Sequence, residues 1–251
     1  MSTLLRLLHL ADTAFPTGAF AHSLGLEGAH AAGALRDEED LHRALRRQLD
    51  GLATSDLATC RAAHARACRV GDERTPRPAP ADDGEPASGH HVTDAAIADL
   101  AALDRELDVT RPTRETREAA RATGERFLIA ATVVVDDPLL HALRDAVARR
   151  ALPGTLPVAW GVAGAAIGAD AEATGQALAF SSLAALAAAG QRLIPLGGVA
   201  TQAVLARAAD AIPAALARAA TIDPLEPCSF VPELDVRSAQ HERQRVRLFI
   251  S

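Results

Sequence analysis

The chain of 251 residues contains no lysine, no asparagine and no tyrosine. Each absence excludes chemistry. A phosphate-loop NTPase of the usual kind contacts the β- and γ-phosphates through a lysine. Schiff-base and PLP enzymes need a lysine amine. Both classes are excluded, as is a tyrosine nucleophile. All basic charge rests on 26 arginines against 32 acidic residues, a net charge of −6. That balance argues against a nucleic-acid partner, which needs a basic footprint to displace counterions. The three cysteines (Cys60, Cys68 and Cys228) are an odd number without scaffold spacing. The start of the chain lacks the basic region of a secretory signal, so a cytoplasmic protein is expected.

Alanine fills 58 positions and is the strongest intrinsic helix former. No segment alternates convincingly with period two, and Ala131–Val135 is the one β-branched run. The expectation is an all-α, single helical-bundle domain over 1–251, of about nine to eleven helices given ordinary helix lengths. Asp37 is placed to cap a helix whose Leu41, Leu45, Leu49 and Leu52 form one apolar stripe. Ser55 or Asp56 restarts it through Val70. Thr93 or Asp94 caps a helix carrying Ile97, Leu100, Leu103 and Leu107, Pro112 stops it, and Thr113 begins the next. Asp137-Pro138 reads as a cap followed by a first-turn proline. Between them, Gly71–Val92 mixes four prolines with charge, Gly and Ser, and has no apolar period. It is expected to be a flexible, disordered insertion.

Residues 151–220 hold only six charges: Asp170, Glu172, Arg192, Arg207, Asp210 and Arg218. Helices this poor in charge need cover on most sides, as a core or a large interface. Leu, Ile, Phe and Val are too sparse here for a membrane span. Gly161, Gly164 and Gly168 follow no strand, so they serve close helix packing rather than a nucleotide loop. Arg192, the lone charge between Glu172 and Arg207, requires a carboxylate or carbonyl partner if buried.

Three features invite a chemical reading. Asp56, Cys60, His64 and Cys68 step by four along one helix. Residues eight apart lie ~12 Å apart along the axis, so only an adjacent pair such as Cys60 and His64 could share a metal. Buried structural cysteines beside a satisfied histidine are the plainer reading. Ser23, within Ala21–Gly25, is spaced like the nucleophile of a hydrolase elbow, which needs a preceding strand and a sheet beneath it. A Ser23- or Cys60-dependent hydrolase and a nickel carrier using Cys60 and His64 are therefore the alternatives to a chain without chemistry. The third feature is the tail, residues 232–251. It gathers Arg237, Arg243, Arg245 and Arg247 before an apolar Leu248-Phe249-Ile250 tip. Such a tail seats on an acidic partner, stays solvated or packs on its own domain.

Three motifs in order resemble the urease accessory protein UreF family. The first is Leu10-Ala11-Asp12, Phe15-Pro16-Thr17-Gly18-Ala19-Phe20-Ala21-His22-Ser23 and Gly25-Leu26-Glu27. The second is Pro157–Gly161 followed by Gln191-Arg192-Leu193-Ile194-Pro195-Leu196-Gly197. The third is Leu234-Asp235-Val236, Ser238, His241-Glu242-Arg243 and Arg247–Ser251. Ala19 and Leu24 stand where the family usually has glycines, and Gly198 where it has glutamine. Arg245 takes an often aromatic position. The resemblance implies a helical homodimer without catalytic activity or a tightly bound cofactor. It would bridge the urease apoprotein, through UreD (also called UreH), to the GTPase UreG. Nickel would be handled transiently by that complex during GTP-dependent insertion. It further implies partner docking by Arg247, His241, Glu242, Arg243 and Phe249. Phe15, Pro16, Thr17, Phe20, His22, Ser23 and Glu27 shape an N-terminal surface, with Arg192 as a docking residue or a structural pin.

Overall fold

Side-chain caps set several of the helix starts. In the computed structural model, Asp37, Thr113, Asp137 and Asp170 each accept the backbone amide three residues ahead, at 2.9, 3.1, 2.9 and 2.6 Å. The structure describes residues 1–74, 89–228, 231–241 and 247–250, with side chains at 1–71, 94–228, 231–240 and 247–250. The helices are α1 (Thr3–Ala11), α2 (Leu26–Ala31), α3 (Glu38–Thr54), α4 (Asp56–Arg74), α5 (Gly89–Val109) and α6 (Arg114–Val134). There follow α7 (Pro138–Ala148), α8 (Leu156–Ala166), α9 (Ala171–Leu193), α10 (Gly198–Ala209), α11 (Ile212–Ala219) and α12 (Pro232–His241). A 3₁₀ turn spans Ala19–Ala21, and no strand occurs among the described residues. The described residues hold twelve α-helices, ten of them nine residues or longer, against the nine to eleven expected.

Two boundaries differ from expectation. Helix α4 runs beyond Val70 to Arg74, and α5 starts at Gly89, ahead of Thr93 and Asp94. Alanine-rich flanks carry both helices into the segment expected to be a loop. The remainder of that insertion, 75–88, lies outside the described residues. Most of the β-branched run is also helical: residues 131–134 form the last turn of α6, and Val135 caps it in an extended conformation. There the Thr132 hydroxyl donates back to the Leu128 carbonyl at 3.0 Å.

Helix α8 is the centre. Val158, Ala159, Trp160, Val162 and Ala163 are all buried, and α8 packs more extensively on α4 than any other pair of helices does. Gly161 makes this possible, since a Cβ there would collide with the Cys60 carbonyl and the His64 amide of α4. Gly164 has the same function against Thr174. Gly168 instead ends the helix, at φ +75°. Helix α9 is long and apolar enough to cross a bilayer by length and composition. It lies as a core helix against α3, α4, α8 and α10.

Asp104, fully buried on α5, holds the turn that feeds α8. It accepts Gly154 N (2.5 Å), Thr155 N (3.0 Å) and Thr155 Oγ1 (2.5 Å). Burial raises its pKa, and the three donors oppose that shift by favouring the carboxylate.

Three of the seven aromatics form a chain leading outward from α8. Trp160 donates to the Thr174 carbonyl at 3.0 Å and stacks on Phe127 of α6 with centroids 5.0 Å apart. Phe127 meets Phe15 at 5.5 Å, and Phe15 meets the edge of His9 at 5.7 Å. The N-terminal motif is thereby anchored to the core. Replacing Gly161 with alanine is expected to cost about 2–3 kcal/mol by overpacking and to lower the melting temperature by about 5–10 °C. Gly197→Ala, with nothing within 4 Å of the added carbon, serves as the control in the same thermal scans.

Candidate functional site

The first motif folds as a chain of tight turns. Asp12 ends α1 and accepts the Ala14 amide at 2.7 Å, while Phe15 N donates to the Asp12 carbonyl at 2.9 Å. Thr17 Oγ1 accepts Ala19 N at 3.2 Å. Gly18 and Gly25 take φ of +74° and +92°. A Cβ would strike the Arg126 side chain at the first and the Leu234 carbonyl at the second. Leu24, in a position where the resemblance expects glycine, also has positive φ, 49°. The strain of a left-handed leucine is held there by partial burial against the core.

On this turn the end of the chain is seated. Both carboxylate oxygens of the buried Glu27 accept tail amides, Leu248 N at 2.6 Å and Phe249 N at 3.1 Å. Ile250 N donates to the Ala21 carbonyl at 2.9 Å. Arg247 Nη1 donates to Glu115 Oε1 at 3.0 Å. The Phe249 ring is buried under the Arg192 guanidinium, 4.5 Å from ring centroid to carbon, and Arg192 also donates to the Phe20 carbonyl at 3.3 Å. The described residues 247–250 of the tail pack on their own domain.

The site residues separate into two layers. Phe15, His22, Ser23, Glu27 and Phe249, named above as partner-facing, are buried and form the surface from beneath. Pro16, Phe20, Arg192 and Arg247 are exposed, and Thr17 is half-buried. Leu248 and Ile250 join this outer layer at 52% and 64% exposure, beside Phe20 at 66%. Arg192 is exposed rather than buried, and its carbonyl partner is Phe20. The His241 side chain, Glu242 and Arg243 lie outside the described residues. Glu115, in the first turn of α6, and Arg126 were not legible as site residues. Nothing in their local sequence marks them, because they reach the site only through tertiary packing.

The chemical alternatives lose their geometry. Ser23 is fully buried, its Oγ accepts Glu27 N at 3.4 Å, and no strand precedes it. It is a helix-start residue rather than a presented nucleophile. Asp56 pairs with Arg111 at 2.9 Å. His64 Nε2 faces the Ala169 carbonyl at 2.8 Å, and its Nδ1 faces Cys68, not Cys60. Burial pushes the Cys60 thiol pKa far up, with the Asp56 charge adding to the shift. Cys60 and His64 thus make no joint site. Beneath the N-terminal turn lies a recess of about 110 Å³, lined by Ala19, His22, Leu24, Asp56, Arg111 and Thr116 among others.

The described residues form an all-helical scaffold in which the N-terminal turns and residues 247–250 build one surface. The family model described as UreF matches residues 35–209. Urease accessory protein UreF of Corynebacterium glutamicum (strain R) is 31% identical over 98% of this chain and 96% of its own length. That of Paenarthrobacter aurescens (strain TC1) is 32% identical over 98% and 97%. That of Paracidovorax citrulli (strain AAC00-1) is 34% identical over 100% and 90%. The chain belongs to the UreF family of urease accessory proteins.

Two outcomes test the site. In Glu27→Ala the two tail amides lose their acceptor. Carboxypeptidase should trim the tail about tenfold faster or more, with helical circular dichroism unchanged, and an unaltered rate would contradict the seating. The second concerns pH. Burial first, then the Arg126 charge, holds the His22 pKa below its ordinary 6.5, with Glu115 opposing. The folded chain then binds fewer protons than the unfolded one. Stability is therefore full above pH 6.5 and declines as pH falls toward the lowered value. Melting temperatures between pH 7.5 and 5 should fall less steeply in His22→Gln than in the parent chain.

Proposed function

We propose that this chain is a non-enzymatic maturation chaperone. As a cytoplasmic homodimer it joins the urease apoprotein, through UreD (UreH), to the GTPase UreG during GTP-dependent nickel incorporation. Nickel is cargo of the complex, and no cofactor is held tightly by this chain. The observation that carries the reading is the composite rim: Phe20, Leu248 and Ile250 exposed beside Arg192 and Arg247, built from both ends of the chain. Aromatic, aliphatic and arginine groups side by side are what protein interfaces favour. A chain without lysine leaves the nucleotide chemistry to a partner. Helix α1 supports the homodimer, because its outer face presents Leu4, Leu5 and Leu8, each more than half exposed.

The test is co-expression with the other urease accessory proteins, followed by affinity capture and light scattering. The parent chain should capture UreD in a complex whose mass fits two copies of this protein. Phe20→Arg combined with Ile250→Arg, both surface changes, should cut capture at least about tenfold while leaving the fold intact. Full capture by this variant would remove the rim from the docking surface.

A further inference from the structure

The three cysteines occupy three environments. Cys60 is buried, with its thiol pKa pushed up. Cys228 is exposed in a loop whose backbone is bonded to Thr54. Cys68 is exposed on α4, its Sγ 3.7 Å from Nδ1 of His64, one helical turn back. His64 is buried, and its Nε2 lies 2.8 Å from the Ala169 carbonyl. A carbonyl oxygen only accepts, so Nε2 carries the ring hydrogen and Nδ1 presents its lone pair to the Cys68 thiol. Nucleophile, base and an orienting third group stand in the order that activates a thiol. A second observation is independent of that pairing. Beside Cys68 opens a recess of about 280 Å³, walled by Ala67, Val70, Leu139, Val162, Ala165 and Ala166. Among the described residues, Asp137, on the turn before α7, is the titratable group that lines it besides Cys68.

We propose that Cys68 is a base-activated thiol that takes up a small organic group by exchange with a low-molecular-weight disulfide. His64 Nδ1 accepts the thiol proton as the Cys68 sulfur attacks one sulfur of R–S–S–R. The reagent's S–S bond breaks, a Cys68–S–S–R bond forms, and the departing RS⁻ takes the proton back from the imidazolium to leave as RSH. No net oxidant is needed beyond the disulfide itself. The apolar walls accept the carbon chain of R, and Asp137 favours a neutral or cationic group over an anionic one.

The probe is cystamine, a small cationic disulfide, applied to the full chain and read by peptide mass mapping. At pH 6.5 Cys68 should form its adduct at least about tenfold faster than Cys228, because a general base acts where an ordinary thiol is still protonated. In His64→Gln, Cys68 should fall to the rate of Cys228. Equal rates for Cys68 and Cys228 at pH 6.5 in the unmutated chain would overturn the proposal without any variant. A lead that survives His64→Gln would overturn it too.

Discussion

The approach of two helix backbones, α4 and α8 at Gly161, is the constraint on which the molecule rests. With the Cys60 carbonyl and the His64 amide against the space a side chain would fill, no residue larger than glycine fits without moving a core helix. That contact centres α8, and α8 positions Trp160. From Trp160 the stacked and tilted rings of Phe127 and Phe15 carry the rigid interior out to the N-terminal turns. Alanine's small volume allows this packing through the rest of the core.

At the outer end of that chain, one carboxylate joins the N-terminal turns to residues 247–250. Glu27 is buried and accepts two successive tail amides, which fixes Phe249 beneath Arg192 and leaves Leu248 and Ile250 facing out. Hydrogen bonds to an ionised acceptor are among the stronger ones. A single side chain can therefore order a terminus that would otherwise fray. The exposed rim consequently depends on buried residues, so a motif rich in buried positions can still shape a surface.

Much of the helical architecture was legible in the sequence because its causes are local. Asp37, Thr113 and Asp137 cap helices through their own side chains, and Leu41, Leu45 and Leu49 lie on one face at helical spacing. Gly161 followed from charge-poor flanks that had to be covered. The site was legible only in outline. The motif residues could be named, but whether Phe15 or Phe20 faces outward depends on the turn at Gly18, which closes against Arg126 from a distant helix. The tail's place on its own domain depends on Glu27 and Glu115, more than a hundred residues away in sequence. The pairing of His64 with Cys68 rather than Cys60 follows from the Ala169 carbonyl, which fixes the ring from another segment.

A scaffold of this kind acts through the shape it keeps, so its central property is the order of the composite surface before any partner arrives. Amide hydrogen exchange on the isolated protein measures that order directly. The amides of Leu248 and Phe249 should exchange at least about a hundredfold slower than an unstructured peptide of the same sequence. Exchange at the unstructured rate, with the helical core still protected, would contradict the seating of the tail on Glu27.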